Sequence, residues 1–337
     1  MKISILIPAY NEEKSVGKCL ESCLNQTRVP DEIVVVNDGS TDKTAEILAS
    51  FGEKIKVVTI PKATGNKSFA QEIGLPHISG EVFICTDADT VLDKKFIELI
   101  EKDFVDPEIV AVAGYVRSLK YNWLTACRAL EYVICQNVHK LAQSYINFIL
   151  VIPGASGAYK TEIFKNYITF DHDTITEDLD FTYKFNEKGL KIKYDRQAIA
   201  YTQDPPNVKS YINQMRRWYG GGWQNLMKHF RIIKGPAKAL ELSLMYIEGL
   251  IFSFMAFLIP LINVRFALLF PIFYFFMIQG FAIYAAIKEK RISLLFVPLP
   301  YLLLCYVNAW IFLEQFFREV IFKKKNLTWL KPERIKI

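Results

Sequence analysis

The chain has 337 residues, 51% of them hydrophobic, and a positive mean hydropathy, values too apolar for an ordinary soluble domain. Lys and Arg number 41 against 35 Asp and Glu, a net charge of +6, and much of the excess sits at Arg318, Lys323, Lys324, Lys325, Lys331, Arg334 and Lys336. Because that basic end follows an apolar stretch, it implies attraction to anionic lipid headgroups, worth about 1 kcal/mol per basic residue near the surface, and it argues against a nucleic-acid partner. The six cysteines form no C-x-x-C pair and no zinc-type spacing, which implies reduced structural thiols rather than a disulfide framework.

Met-Lys-Ile-Ser-Ile-Leu-Ile-Pro8 carries too short an apolar run for a signal peptide. It reads as a first strand, Ile3 to Ile7, so the amino-terminal domain is expected in the cytosol. A helix with Val16, Leu20, Cys23 and Leu24 on one face follows. The unit recurs: a strand from Glu32 to Val36, the turn Asn37-Asp38-Gly39-Ser40, and a helix capped by Thr41 or Asp42 and running through Phe51. A strand at Ile55 to Ile60, a helix near Ser68 to Leu75 and a strand at Val82 to Cys85 come next. Apolar strands alternating with amphipathic helices predict an α/β fold with a mostly parallel, doubly covered central sheet. Ligands of such sheets bind beyond the carboxyl ends of the strands, where Asp38, Asp87 and Asp89 stand.

Residues 122–150 repeat apolar positions at steps of three and four, from Leu124 to Tyr145. This helix either packs on the sheet or lies in a membrane interface. Gly154-Ala-Ser-Gly157 forms a tight turn, Thr176 caps a helix through Lys188, and short strands are expected near Ile192 and Ala198. Segments 240–262, 266–287 and 293–317 each supply the ~20 residues that cross about 30 Å of hydrocarbon. Lys288-Glu-Lys-Arg291 is expected on the cytosolic side. Three full crossings would then put the basic tail outside, against the same tendency; Pro298 and Pro300 leave room for a bent or re-entrant third segment that returns it. The divisions are 1–206 for a cytosolic domain, 207–238 for an interfacial segment, 239–322 for about three transmembrane helices and 323–337 for a basic tail.

Asp87 and Asp89, two positions apart after a buried strand, suit a hard divalent cation completed by phosphate oxygens, although acidic loop residues are common without one. Asp38 either caps a helix or accepts hydrogen bonds from a nucleoside. Lys67 is placed to reach a diphosphate or is simply solvated. Asp178 is a first-turn acid favoured by the helix dipole or a general base. In Gln214-Met215-Arg216-Arg217-Trp218, Arg217 offers a fork for phosphate and Trp218 a face for stacking a sugar; the plain alternative is an interfacial belt shared with Tyr211, Tyr219 and Trp223.

Together these stations resemble the family-2 inverting glycosyltransferases of the nucleotide-sugar-binding GT-A fold. They are most similar to the membrane branch of cellulose, chitin, hyaluronan and poly-N-acetylglucosamine synthases. The resemblance covers roughly residues 1–235. It implies that Pro8, Ala9, Tyr10, Glu12, Asp38, Lys67, Asp87 and Ala88 bind the nucleotide, and that Asp89, helped by Asp87, holds Mg²⁺ or Mn²⁺. It makes Asp178 the base in the T-E-D motif and gives Arg217 the departing diphosphate. Gln214, Trp218, Ser156 and Gly157 then face the acceptor. Two departures stand out. Asn37-Asp38 replaces the usual paired acids, and Gly65-Asn66-Lys67 replaces a Gly-Lys pair.

The resemblance implies an enzyme of the cell membrane with a cytosolic catalytic domain, using a nucleotide sugar, with UDP-sugars favoured. The expected acceptor is a growing β-linked polysaccharide; single transfer to a lipid-linked acceptor is the alternative. A non-catalytic nucleotide-sugar-binding membrane subunit is the reading from another class, disfavoured because Asp87, Asp89 and Asp178 are all present. Association as a homo-oligomer or with a partner subunit is left open.

Overall fold

The computed structural model describes residues 1–119, 122–232, 235–328 and 333–336. It divides into two compact units, the first made of Met1–Arg117, Asn147–Gln203 and Leu327–Ile337, the second of Ser118–Ile146 and Asp204–Asn326. Lys331, one of the basic tail positions, lies outside the described residues.

The first unit is built on an eight-stranded mixed sheet of order β3-β2-β1-β4-β7-β6-β8-β5. The strands are β1 (Ile3–Ala9), β2 (Glu32–Asp38), β3 (Lys56–Ile60), β4 (Val82–Cys85), β5 (Val91–Leu92), β6 (Ile109–Ser118), β7 (Gly157–Lys160) and β8 (Lys191–Thr202). β1 pairs in parallel with β2 and β4, and β2 with β3, whereas β7 runs antiparallel to β4 and β6, and β5 to β8. Successive residues of a strand point to opposite faces, and the two cores follow that rule. Ile5, Ile7, Ile33, Val35 and Ile84 belong to one cluster, and Leu6, Val34, Val36, Phe83 and Cys85 to the other. Helices α1 (Val16–Leu24), α2 (Thr44–Ser50) and α4 (Phe96–Asp103) cover the first face through Cys19, Leu20, Leu48, Phe96 and Ile100. Helix α3 (Lys67–Gly74) covers the second through Ala70.

The second unit contains α5 (Trp123–Ile134), joined by a π turn at Cys135–His139 to α6 (Lys140–Tyr145), followed later by α9 (Val208–Lys228). Asn122 caps α5 by accepting from the Thr125 amide while the Thr125 hydroxyl accepts from the Asn122 amide, a reciprocal capping box. Thus the helix expected over 122–150 is two helices, and it groups with the apolar segments rather than with the sheet unit. Two further helices complete the sheet unit's second face, α7 (Thr161–Tyr167) and α8 (Glu177–Glu187), through Phe164, Phe181 and Phe185.

Among the described residues, three helices are long and apolar enough to cross a membrane: α10 (Pro236–Ile262), α11 (Val264–Glu289) and α12 (Pro298–Gln315) with its π extension to Ile321. The first two have a mean hydropathy of 2.0 and the third 1.2. Residues 293–296, expected within the third span, instead belong to a 3₁₀ turn, Ile292–Phe296, ahead of Pro298.

Several local expectations are corrected. The strands expected near Ile192 and Ala198 are one strand, β8; its polar residues fall largely on an exposed side, so they interrupt the apolar pattern without interrupting the strand. The Gly154–Gly157 turn ends as β7 begins at Gly157. Thr176 occupies the cap position of α8 but its hydroxyl makes no capping bond. For α2, Asp42 accepts from both the amide and the hydroxyl of Thr44.

Candidate functional site

Strand order places the ends of β2, β1 and β4 side by side, with β1 between its two parallel neighbours. This is the crevice geometry in which open α/β sheets bind ligands. The loop after β1, Tyr10-Asn11-Glu12, is fixed to the loop after β2: the Asn11 amide donates to Ser40 Oγ, the Thr41 amide to Asn11 Oδ1, and the Glu12 amide to Thr44 Oγ1. Asn11 takes a positive φ of 53° to make this turn. Pro8 and Ala9 close β1 opposite Val36 and Asn37.

Asp38 ends β2, and both of its oxygens are occupied. The amide and hydroxyl of Thr64 donate to Oδ1 and Oδ2, each at 2.8 Å. Gly39 follows with φ +61°, and a Cβ there would run into the backbone at Lys62 and Ala63. Only glycine lets the loop after β3 approach this closely. The missing second acid of the family pattern is Asn37, whose Oδ1 accepts from the Ser40 amide; the amide serves the turn here.

Lys67 opens α3 and answers the question left by its shifted spacing. Its Nζ lies 2.5 Å from Asp87 Oδ1 and 3.2 Å from Glu177 Oε1. Burial disfavours its charged form, but the Asp87 and Glu177 carboxylates outweigh that and raise its pKa well above the usual lysine range. A Cβ on Gly154 would meet Lys67 Nζ at 2.6 Å, so the small residue at 154 gives the ammonium its path. Cys85, at the end of β4, is pushed up to about 12, mainly by burial, and stays a neutral thiol.

Asp178 is in the first turn of α8. Its Oδ2 accepts from the Gly154 amide at 3.3 Å and its Oδ1 from the Leu179 amide at 2.9 Å. Ser156 is fully buried and its hydroxyl has no partner among the described residues, while its backbone carbonyl accepts from the Gly114 amide. Gly157 begins β7, paired with Cys85 and Ala113. These two therefore shape the sheet beside Asp178.

Asp89 is 5% exposed. Burial pushes its carboxyl up to about 6, opposed by the Arg334 guanidinium and reinforced by Asp87 and Glu12. Arg334 Nη2 lies 2.7 Å from Asp89 Oδ2, and its Nε is 3.1 Å from each Glu12 oxygen. Ala88 is buried between the two acids of the Asp87-Ala-Asp89 sequence. Oxygen-only donors from Asp87 and Asp89, already satisfied by a cation, fit Mg²⁺ or Mn²⁺. Arg334 is the residue that sequence reasoning missed; it was counted only as tail charge, and nothing local marks it.

Gln214, Arg216, Arg217 and Trp218 lie on α9 in the second unit. Arg216 pairs with Glu314 at 2.9 Å, whereas Arg217 has no ion pair among the described residues. The side-chain oxygen of Gln214 is buried without a partner among the described residues. Trp218 lies against a buried arginine, Arg128, whose guanidinium carbon is 4.7 Å from the indole centroid. Arg128 is held in turn by Glu131 at 2.5 Å, Asp204 at 3.3 Å and the Tyr132 hydroxyl at 3.3 Å.

Residues 2–221 match a protein-family model described as glycosyltransferase like family 2. A poly-β-1,6-N-acetyl-D-glucosamine synthase of Staphylococcus epidermidis is 32% identical over 232 residues, covering 68% of this chain and 56% of that protein. The synthase of the same name from Staphylococcus aureus strain COL is 28% identical over 231 residues, again 68% of this chain and 56% of that protein. The chain thus spans little more than half the length of these relatives. Among solved structures, a mannosyltransferase from Pyrobaculum calidifontis in complex with GDP-Man and Mn²⁺ aligns with a TM-score of 0.66 at 19% identity, covering 96% of this chain and 88% of that one. TarS of S. aureus, residues 1–349 in complex with UDP-GlcNAc, aligns with a TM-score of 0.54 at 18% identity, covering 95% and 92%. At such identities the likeness is one of fold.

Proposed function

From the premise that the chain belongs to glycosyltransferase family 2, we propose that it transfers a sugar, with inversion and with a divalent metal, from a nucleotide sugar to a growing β-linked polysaccharide at the membrane. The observation that carries this reading is the gathering of Asp38, Lys67, Asp87 and Asp89 at the strand ends, with Asp178 hydrogen-bonded to the Gly154 loop of the same unit. Its fold is that of the GT-A glycosyltransferases.

In this mechanism the acceptor hydroxyl attacks the anomeric carbon in line, and Asp178 takes its proton. The glycosidic bond to the nucleoside diphosphate breaks in the same displacement, so an α-linked donor gives a β-linked product without a covalent intermediate. Asp38 and the Pro8–Glu12 loop hold the nucleoside. Asp89 and Asp87 hold Mg²⁺ or Mn²⁺, which when bound supplies positive charge to the leaving diphosphate. Arg217 adds a fixed cation for the same charge, and Gln214 and Trp218 seat the acceptor. Interactions that strengthen as the diphosphate departs are the ones that accelerate the step.

The relatives' name makes UDP-N-acetylglucosamine the first donor to test, followed by a panel of nucleotide sugars with reconstituted protein. A product ladder or high-mass polymer supports repeated addition; a single added sugar on lipid supports the second reading. No turnover with any donor and acceptor overturns both in favour of a binding subunit.

We place the sheet unit on the cytosolic face of the cell membrane, where nucleotide sugars are available. Contact of Arg334 and Ile335 with Glu12 and Gln203 of the same unit supports a return of the chain to that face after α12. Glu314, Arg318 and Glu319, together with the lower hydropathy, favour α12 as the helix that does not cross fully.

A further inference from the structure

The cation on Asp89 comes from a distant part of the sequence, and it is held by more than charge. Ile335 exchanges two hydrogen bonds with one side-chain amide: its N–H donates to Gln203 Oε1 and its carbonyl accepts from Gln203 Nε2, both at 3.0 Å. The Arg334 carbonyl accepts from Lys14 Nζ at 3.2 Å. Gln203 is 4% exposed and directly follows β8, whose last residue, Thr202, points its hydroxyl at Asp89 Oδ1 from 3.5 Å. The receptor for the segment and the carboxylate it covers are thus adjacent along one strand end.

We propose that Arg334 is a tethered stand-in for the divalent cation, so that guanidinium and metal exclude one another at Asp89 and metal loading drives the 333–336 segment off the donor cleft. A guanidinium is always charged and its fork fits carboxylates. Buried together, Asp89 and Glu12 need a positive partner. Asp89 cannot give the same oxygen to Arg334 and to a metal, and two cations at that distance repel. The Ile335–Gln203 bonds add to the hold on the segment while metal is absent, and because the segment stays covalently joined to the chain they re-form at high local concentration once metal leaves. This inference rests on the metal-dependent reading of the site.

The test uses full-length protein in detergent and Mn²⁺ alone. Hydrogen exchange of peptides covering 327–337 is followed with and without Mn²⁺, and Mn²⁺ binding is measured directly for wild type, Arg334→Gln and a control, Lys336→Gln. Expected are loss of protection in the segment when Mn²⁺ is added, the same loss without metal in Asp89→Asn, and Mn²⁺ binding roughly five- to tenfold tighter in Arg334→Gln than in wild type or the control. Equal affinity in all three, or undiminished protection with Mn²⁺ bound, overturns the exclusion while leaving the metal site standing. Absence of Mn²⁺ binding in wild type and Arg334→Gln alike overturns the metal reading itself; protection retained in Asp89→Asn then shows that Asp89 does not hold the segment either.

Discussion

Lys67 Nζ lies 2.5 Å from Asp87 Oδ1, which joins the start of α3 to the loop after β4. Glu177, at the start of α8, pairs with the same ammonium at 3.2 Å. One lysine therefore ties together the start of α3, the loop after β4 and the start of α8.

Replacing Lys67 with methionine removes the ammonium that both Asp87 and Glu177 pair with. Removing one member of a buried ionic cluster costs about 3–5 kcal/mol, reduced here because Asp87 is partly exposed. The expected result is a lower unfolding temperature and at least tenfold weaker nucleotide-sugar binding. Calorimetric titration with the nucleotide product checks the second point; unchanged binding would remove Lys67 from the donor site.

Asp178→Asn keeps the shape of the side chain and its contact with the Gly154 loop but removes the proton acceptor. Transfer should fall by about 10²–10⁴-fold, the usual contribution of a positioned base, with nucleotide binding preserved. Single-turnover rates measured beside binding affinities separate the two effects. Retained transfer would assign the proton to another group.

Arg128→Lys keeps a charge for Glu131 and Asp204 but loses the flat guanidinium against Trp218. A rise in acceptor KM with donor KM unchanged is expected, because Arg and Lys are not equivalent at a stacked site. Arg128→Met should destabilise the protein by about 3–5 kcal/mol. Equal acceptor KM in wild type and the lysine variant would limit Arg128 to a structural role.

Asp103, on α4, is pushed from 3.8 up to about 6 by burial and the neighbouring Asp195, despite an ion pair with Lys193 at 2.6 Å. A carboxyl with a raised folded pKa binds its proton more tightly in the folded chain. Its contribution is full below the unfolded value and is lost as pH rises through the folded one. Stability should therefore decline by on the order of 2 kcal/mol from about pH 4 to about pH 6 through this group. Asp103→Asn should remove that part of the slope in unfolding curves recorded against pH; an unchanged slope would contradict it.

The sheet was legible where its strands are locally apolar. Ile3–Ile7, Val34–Val36 and Val82–Cys85 are buried runs whose loops carry the acids, so Asp38, Asp87 and Asp89 could be placed from spacing alone. β6 went unassigned although Ile109-Val-Ala-Val is apolar, because its Ala and Gly residues weaken the strand signal and its partner β7 lies some forty residues away. Lys67 was ambiguous for a related reason: its two partners come from distant loops. Arg334 was hidden most completely, since its partners Glu12 and Asp89 are joined to it only by folding. Local patterns reveal which face of an element is buried, but not which distant charge satisfies it.

The sheet-bearing unit is discontinuous, and its last stretch follows the apolar helices in the chain. A ribosome therefore finishes this unit only after it has made α10, α11 and α12. Until then Asp89 and Glu12 lack their arginine, and Gln203 lacks the backbone it clasps. Assembly of the strand-end site is thus ordered behind synthesis of the apolar helices: a nascent chain that stalls among them leaves Asp89 and Glu12 open to any passing cation, and only a chain that has passed through them brings its own.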